Sequence, residues 1–331
     1  MKIIVTSGSF AKYSPQAINE LSKRFEIEHR KILRDATDEE IAEELKDADA
    51  VIIGGSAGSG RINRKIMELT PKLKLIAKHG LGLDNLDIKA ATEKGIAIIN
   101  CRHTMQERTV AEHTMALILS TVRKVVEADN YVKRGKWKER SELIGLELYG
   151  KTLGVIGFGS IGRIVAKIAK EGFEMNVMAY DPYVPEKLFR DLNVKSTELS
   201  DLLRKSDVIT IHVPLTDETR NLIDYDEFKM MKKETVLVNA SRGEVINEEA
   251  LLEAVKNGRI TSVALDVMVN EPPDDDNELL KMRNVTITPH LGSYTIDANI
   301  RMAAALTEDI SKYFNGEKPL RIVNPEVFEN P

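Results

Sequence analysis

One stretch of this chain, residues 152–181, limits its fold more than any other: TLGVIGFGSIGRIVAKIAKEGFEMNVMAYD. It opens with an apolar run at 153–156 and turns through Gly157, Phe158, Gly159, Ser160, Ile161 and Gly162. A helical period follows, with Ile161, Ile164, Val165, Ile168 and Ala169 on one face. A second apolar run at 177–180 ends in Asp181, 19 residues beyond Gly162. The order is strand, glycine turn, helix, strand, acid. Gly157 permits the tight turn, Gly159 lets the backbone approach a pyrophosphate, and Gly162 lets the helix pack on the strand. The helix start offers free N–H groups and a positive dipole end to phosphate. Asp181 can accept hydrogen bonds from the adenine ribose, and its charge would repel a 2′-phosphate. With no Lys or Arg in 181–184, NAD is expected over NADP. A bare glycine turn would be a weak signal, but here both strands, the helix and the acid accompany it.

At 331 residues the chain suits two domains. The region 1–100 alternates strands, expected at 3–6, 25–28, 50–53, 75–77 and 96–99, with helices at 14–23, 38–45, 64–69 and 88–94. Thr37 to Glu40 fits a capping box and Gly95 a helix stop. Such alternation predicts an α/β fold with a parallel sheet covered on both faces. The region lacks GxGxxG, so an open flavodoxin-like unit is expected. Residues 110–137 read as one long helix, its first half almost wholly apolar. Strands are then expected at 153–156, 177–180, 208–212, 236–239, 263–267 and 285–288, a doubly wound Rossmann sheet. A last helix at 295–314 follows the cofactor unit, so the chain should cross back to the first. The expected domains are 1–100 with 294–331, for substrate, and 101–293, for NAD, with a cleft and a hinge between them.

Composition excludes several function classes. Lys and Arg number 47 against 52 Asp and Glu, a net charge of −5 that gives no electrostatic case for nucleic acid. Cys101 is the single cysteine, which rules out an intramolecular disulfide and a cysteine-cluster metal site and suits a reducing compartment. The N-terminal MKIIVTSGS reads as a first strand rather than a signal peptide, and no apolar stretch approaches a membrane span. A cytoplasmic protein with no metal is expected.

Chemistry should lie at the carboxyl ends of the later strands, beside the nicotinamide. Those ends carry His212, Val213 and Pro214; Ala240, Ser241 and Arg242; Asp266; and His290 and Gly292, with Glu271 on a nearby loop. A cation, an acid and an imidazole suit reduction of a 2-keto acid. Arg binds the carboxylate and polarises the carbonyl, His donates the proton, and the acid orients His and raises its pKa. Taken singly, each has a plain structural reading: a turn arginine, a strand-end histidine, a solvated loop acid. His212 would shape the loop over the adenine rather than catalyse. His113, on the apolar helix, reads as a core histidine, and it has no acid partner in sequence. In the first region, Lys78, Gly80, Leu81 and Gly82 follow a strand, where glycines can bare N–H groups to a small anion or simply form an ordinary loop.

The set GFGSIG, AYDP, HVPLTDETRNLI, VLVNASRGEVINEEAL, ALDV, NEPP and TPHLGSYT resembles the D-isomer-specific 2-hydroxyacid dehydrogenase family. The resemblance implies that Arg242, Glu271 and His290 are catalytic. It implies NAD contacts at Ser160, Ile161, Asp181, Val213, Ala240, Ser241 and Asp266, the last holding the nicotinamide carboxamide. Leu81 and Gly82 match the backbone that binds substrate carboxylate, and a homodimer through the cofactor domains is implied. The segment 101–109 departs from the family pattern, being one residue longer and more charged. The loops at 54–58 and 78–80 offer only Lys78 as a cation, with Arg61, Arg102 and Arg108 as reserves for a phosphate. A small unphosphorylated acid such as glyoxylate or hydroxypyruvate is therefore expected. D-3-phosphoglycerate dehydrogenase is the rival within the family, and a non-catalytic NAD-sensing protein the rival of another class.

Overall fold

Short apolar strands separated by helices satisfy their backbones most readily as parallel sheets covered on both faces, and this chain forms two of them. The computed structural model describes residues 1–33, 35–55 and 60–328. One unit comprises Met1–Gln106 and Ser293–Pro331, the other Glu107–Gly292.

The first unit holds β1 (Lys2–Val5), β2 (Glu26–His29), β3 (Ala50–Ile53), β4 (Leu75–Lys78) and β5 (Ala97–Ile99), all parallel in the order β2-β1-β3-β4-β5. This is the flavodoxin-like order expected. Side chains alternate between two cores. Ile3, Val5, Ile52, Leu75 and Ile99 face one, and Ile4, Val51, Ile53, Ile76 and Ile98 face the other. Each such aliphatic side chain removed from water stabilises the fold by about 1.5–3 kcal/mol. Helix Asp38–Leu45 starts where the capping box predicts. Thr37 Oγ1 accepts from Glu40 N–H at 3.2 Å, and Glu40 Oε2 accepts from Thr37 N–H at 2.7 Å.

Helix Ile296–Phe314 and the segment past Pro319 belong to this unit. Ile322 pairs antiparallel with Ile99, and Val323 N–H donates to Ile98 at 2.7 Å, so the edge of β5 is covered. Arg321 reaches under it to Asp309, which is fully buried, at 3.0 Å. Segment 101–106 also packs here, against the expected boundary at 100. Cys101 N–H donates to Gly80 at 3.0 Å, and Arg301 Nε donates to Thr104 O at 3.1 Å.

The second unit holds β6 (Thr152–Ile156), β7 (Asn176–Tyr180), β8 (Lys195–Ser196), β9 (Val208–Ile211), β10 (Val236–Asn239), β11 (Ser262–Leu265) and β12 (Val285–Ile287). Their order is β12-β11-β10-β9-β6-β7-β8, the Rossmann arrangement with one strand added at the far edge. The sequence reading missed β8, whose two residues are exposed and carry no apolar pattern.

One expectation fails. The helix predicted over 110–137 is two, Gln106–Val122 and Val125–Lys133, followed by a 3-10 turn at Trp137–Leu143. Lys124 adopts the left-handed region at φ 52°, and Leu146 N–H donates to Val122 O at 2.8 Å. A returning strand of backbone thus caps the first helix at its C-terminus. Among the described residues, no helix is long and apolar enough to cross a membrane.

Replacing Arg321 by Met leaves the Asp309 carboxylate buried without its cation. Loss of one partner of such a pair is expected to cost about 3–5 kcal/mol. Urea unfolding of the full chain measures it, and a loss under 1 kcal/mol would show that the pair does not anchor the C-terminal segment.

Candidate active site

The Rossmann order fixes where a ligand can sit, at the carboxyl edge where the connections diverge, between β6 and β9. The glycine turn follows β6 there. Gly157 has φ 89°, which a side chain would resist. A Cβ on Gly162 would stand 2.1 Å from Gly157 O, so only glycine allows the helix Ser160–Phe173 to lie this close. A Cβ on Gly159 would meet nothing within 4 Å, leaving the helix start open to phosphate. Phe158 anchors the turn by stacking on Phe189, ring centroids 4.5 Å apart. Asp181, after β7, accepts from Phe158 N–H at 2.8 Å and Tyr183 N–H at 3.0 Å, so its carboxylate is held beside the turn. Ser160 and Ile161 open the helix.

After β9 come His212, Val213 and Pro214. The backbone of His212 packs against Gly157. Burial pushes the His212 imidazole down to about 3, so it is neutral. Its Nε2 pairs with Thr210 Oγ1 at 2.9 Å, while Nδ1 is buried with no partner among the described residues. An open helix start, a held acid and an orphaned ring nitrogen fit a dinucleotide.

The groups expected to do chemistry follow β10, β11 and β12. Ala240, Ser241 and Arg242 follow β10, and Asn239 fixes their turn by accepting from Ser241 N–H at 3.0 Å and donating to Arg242 O at 2.8 Å. Arg242 Nη1 donates to Ser241 O at 2.7 Å. A Cβ on Gly243 would lie 2.1 Å from the Met268 backbone, so glycine there lets the loop after β11 approach the end of β10. That loop carries Glu271.

His290, two residues past Thr288, sits at φ 54°, an unfavourable conformation for a residue with a Cβ. Its Nδ1 meets Glu271 Oε2 at 2.8 Å. Burial alone would raise the Glu271 carboxyl. The hydrogen bond and charge of His290, the Met268 N–H and the Arg242 charge more than offset that and hold it below its ordinary 4.5.

Asp266, at the end of β11, organises the turn that carries His290. Its Oδ1 accepts from Thr288 Oγ1 at 2.6 Å and Leu291 N–H at 2.8 Å, and its Oδ2 accepts from Gly292 N–H at 2.8 Å. Burial would raise its pKa, but the bonds from His113, Thr288 and Leu291 lower it on balance. His113, expected as a core histidine with no acid partner, meets Asp266 Oδ1 at 3.1 Å. The two are 153 residues apart, and nothing local in the sequence signals the pairing. Among the described residues, no cluster of His, Cys, Asp or Glu could hold a metal.

The family model for the D-isomer specific 2-hydroxyacid dehydrogenase NAD-binding domain matches residues 115–292. The chain belongs to the D-isomer specific 2-hydroxyacid dehydrogenase family. Its second unit is the family's NAD-binding domain, and membership places it among NAD-linked oxidoreductases of CH–OH groups. The chain is 41% identical over 325 residues to a D-3-phosphoglycerate dehydrogenase of Methanocaldococcus jannaschii, covering 98% of this chain and 59% of that protein. It is 38% identical over 315 residues to a glyoxylate reductase of Korarchaeum cryptofilum, covering 94% of this chain and 93% of that one. A crystal structure of D-lactate dehydrogenase from Aquifex aeolicus, complexed with NAD and lactic acid, superposes with a TM-score of 0.85 at 28% identity, covering 98% and 99% of the two chains.

Of the substrate residues named from sequence, Arg242 and His290 lie in the second unit, and Lys78, Gly80, Leu81 and Gly82 in the first. Lys78 is buried, and its ammonium donates to Gly55 O and, at 3.0 Å, to Asn85 Oδ1. Gly80 has φ 157°. Asn100 Nδ2 donates to Leu81 O at 3.1 Å. Among the described residues, no acceptor faces the N–H of Leu81 or Gly82. In the loop at 54–58, Ser56, Ala57 and Gly58 lie outside the described residues.

A depressed carboxyl adds stability that is complete above its unfolded pKa and is lost as pH falls through the lower folded value. Glu271→Gln is therefore expected to cost stability at neutral pH, with the gap to wild type closing as pH falls below 4.5. Urea titrations across that range check it, and a gap that stays constant would remove the ionised Glu271 from the account.

Proposed function

We propose that this protein is an NAD-dependent 2-keto acid reductase, working reversibly as a D-2-hydroxyacid dehydrogenase. The observation that carries the reading is the contact of 2.8 Å between His290 Nδ1 and Glu271 Oε2 at the end of the sheet that binds the cofactor. With Nδ1–H donated to the carboxylate, the ring nitrogen that serves the substrate oxygen in this reading is Nε2 of His290. The bound cofactor supplies the hydride. His290 delivers the proton to the carbonyl oxygen, giving the hydroxyl, and Glu271 stabilises the imidazolium before transfer. Arg242 binds the substrate carboxylate and draws electron density from the carbonyl. Asp266 Oδ2, which accepts one N–H among the described residues, keeps a lone pair for the carboxamide.

The substrate we favour is small and unphosphorylated, such as glyoxylate or hydroxypyruvate. Arg61 is committed to Asp38 at 3.0 Å and to Ala36 O, and Arg108 pairs with Glu112 at 3.1 Å. A phosphate would need several strong donors, and these two are engaged. Relatives named glyoxylate reductase, matched over 93% of their length, support the same choice. The homodimer is proposed through the NAD-binding unit, whose segment 125–149 exposes Val132, Trp137, Ile144 and Tyr149. Trp137→Lys with Ile144→Glu should then sediment as a monomer, whereas an unchanged dimer would move the interface elsewhere. The cytoplasm is the proposed compartment, in keeping with the buried free thiol of Cys101.

Following NADH oxidation with glyoxylate, hydroxypyruvate and 3-phosphohydroxypyruvate tests the reading. Turnover of the first two is expected, with NADPH poorer because Asp181 repels its 2′-phosphate. His290→Ala should lose about 10²–10⁴ of the rate while NADH still binds. A kcat/KM favouring the phosphorylated acid by about tenfold would reverse the substrate choice. NADH binding without turnover of any keto acid would favour the NAD-sensing alternative.

A further inference from the structure

His113 has no part in the chemistry described so far. It lies on helix Gln106–Val122, and its ring is directed at the turn that carries His290. Its Nε2 stands 3.1 Å from Asp266 Oδ1 and 3.2 Å from Thr288 Oγ1. The Thr288 hydroxyl hydrogen is spent on Asp266 Oδ1, at 2.6 Å. An ionised carboxylate only accepts, and the threonine oxygen here has only lone pairs left to offer. Nε2 must therefore carry the hydrogen and share it between the two oxygens.

This closes a small network. Asp266 accepts from the backbone of Leu291 and Gly292, the two residues after His290, and Asp266 O accepts from His290 N–H at 2.8 Å. His290 is thus fixed in its left-handed conformation from both sides. The Asp266 side chain is 1% exposed, and among the described residues His113 is its only cationic-capable partner within an ion-pair distance. Removal of that donor leaves a buried carboxylate to find another, and the nearest mobile part is the turn itself.

We propose that His113 is a positioning residue: through Asp266 and Thr288 it holds the 288–292 turn so that His290 meets the substrate oxygen at the right distance and angle. This rests on the reading of His290 as the proton donor. A displacement of about 1 Å at a reacting group can cost on the order of a hundredfold in rate. The effect of losing His113 should fall on kcat and not on substrate affinity.

Two near-isosteric variants separate positioning from bulk. The amide nitrogen of Gln can reach where imidazole Nε2 stands, whereas that of Asn corresponds to Nδ1 and falls short. His113→Asn is expected to lower kcat for glyoxylate by roughly tenfold to a hundredfold with KM within about threefold, and His113→Gln to recover most of the loss. In the His290→Ala background, adding His113→Asn should cost nothing further, because the group it positions is gone. Equal rates for the Asn and Gln variants, an unchanged kcat, a loss confined to NADH affinity, or additive losses in the double variant would each overturn the proposal. If His290→Ala alone keeps the wild-type rate, the proton-donor reading fails, whatever the His113 variants show. Should His113→Asn fold poorly, the Gln variant alone and in the His290→Ala background still gives the comparison.

Discussion

A parallel sheet buried on both faces has nowhere to put polar chemistry except at its ends. In the second unit, Leu153, Val155 and Val238 face one core while Ile156, Ile209, Leu237 and Leu265 face the other. Any charge within those strands would be taken out of water without a partner, at a cost of several kcal/mol. The carboxyl edge is different, because each strand there releases a loop whose backbone is free to turn. Gly157, Asp181, His212, Arg242, Asp266 and His290 all stand at that edge. Their convergence follows from strand order, since each lies at or just past the carboxyl end of its strand.

Proximity at the edge does not by itself make a site. Three loops of different length must also come within hydrogen-bond reach, and here two devices bring them together. Gly243 removes the Cβ that would collide with the Met268 backbone, so the loop bearing Glu271 can approach the end of β10. Asp266 gathers the N–H groups of Leu291 and Gly292 onto a single carboxylate, which bends the chain sharply at His290. Bonds from His113, Thr288 and Leu291 hold that carboxyl below its ordinary pKa despite its burial. The resulting charge is internal scaffolding, distinct from the pair that Glu271 makes with His290.

Much of this was legible from residues alone. Apolar runs of four or five residues flanked by glycine or acid gave nearly every strand, because that pattern suits a strand buried on both faces. The capping box at Thr37 and the glycine turn after β6 were legible for the same reason, being local rules read over a few residues. What stayed hidden was set by distant backbone. Residues 110–137 have an unbroken helical pattern, yet Leu146 returns to cap Val122 and the helix ends. The partner of His113 is 153 residues away, so an apolar setting was all that its neighbours announced. Arg61 could be counted as a reserve for phosphate until its pairing with Asp38 was visible.

A phosphorylated acid brings a second, dianionic group that needs its own cations. Cations matter to a dianionic substrate only if they are uncommitted, since moving a guanidinium from a carboxylate to a phosphate forfeits one ion pair to make another. In the first unit Arg61, Lys78 and Arg102 donate within its own loops: Arg61 to Asp38 and Ala36, Lys78 to Gly55 and Asn85, and Arg102 to Asn100 at 3.0 Å. Asn100 in turn binds Leu81 O, so the loop expected to meet substrate is stiffened by side chains whose donors are already in use. Among the described residues, the N–H groups of Leu81 and Gly82 face no acceptor, and they are neutral donors of modest strength. Two neutral donors suit a single carboxylate, and they are a poor match for a second, doubly charged group.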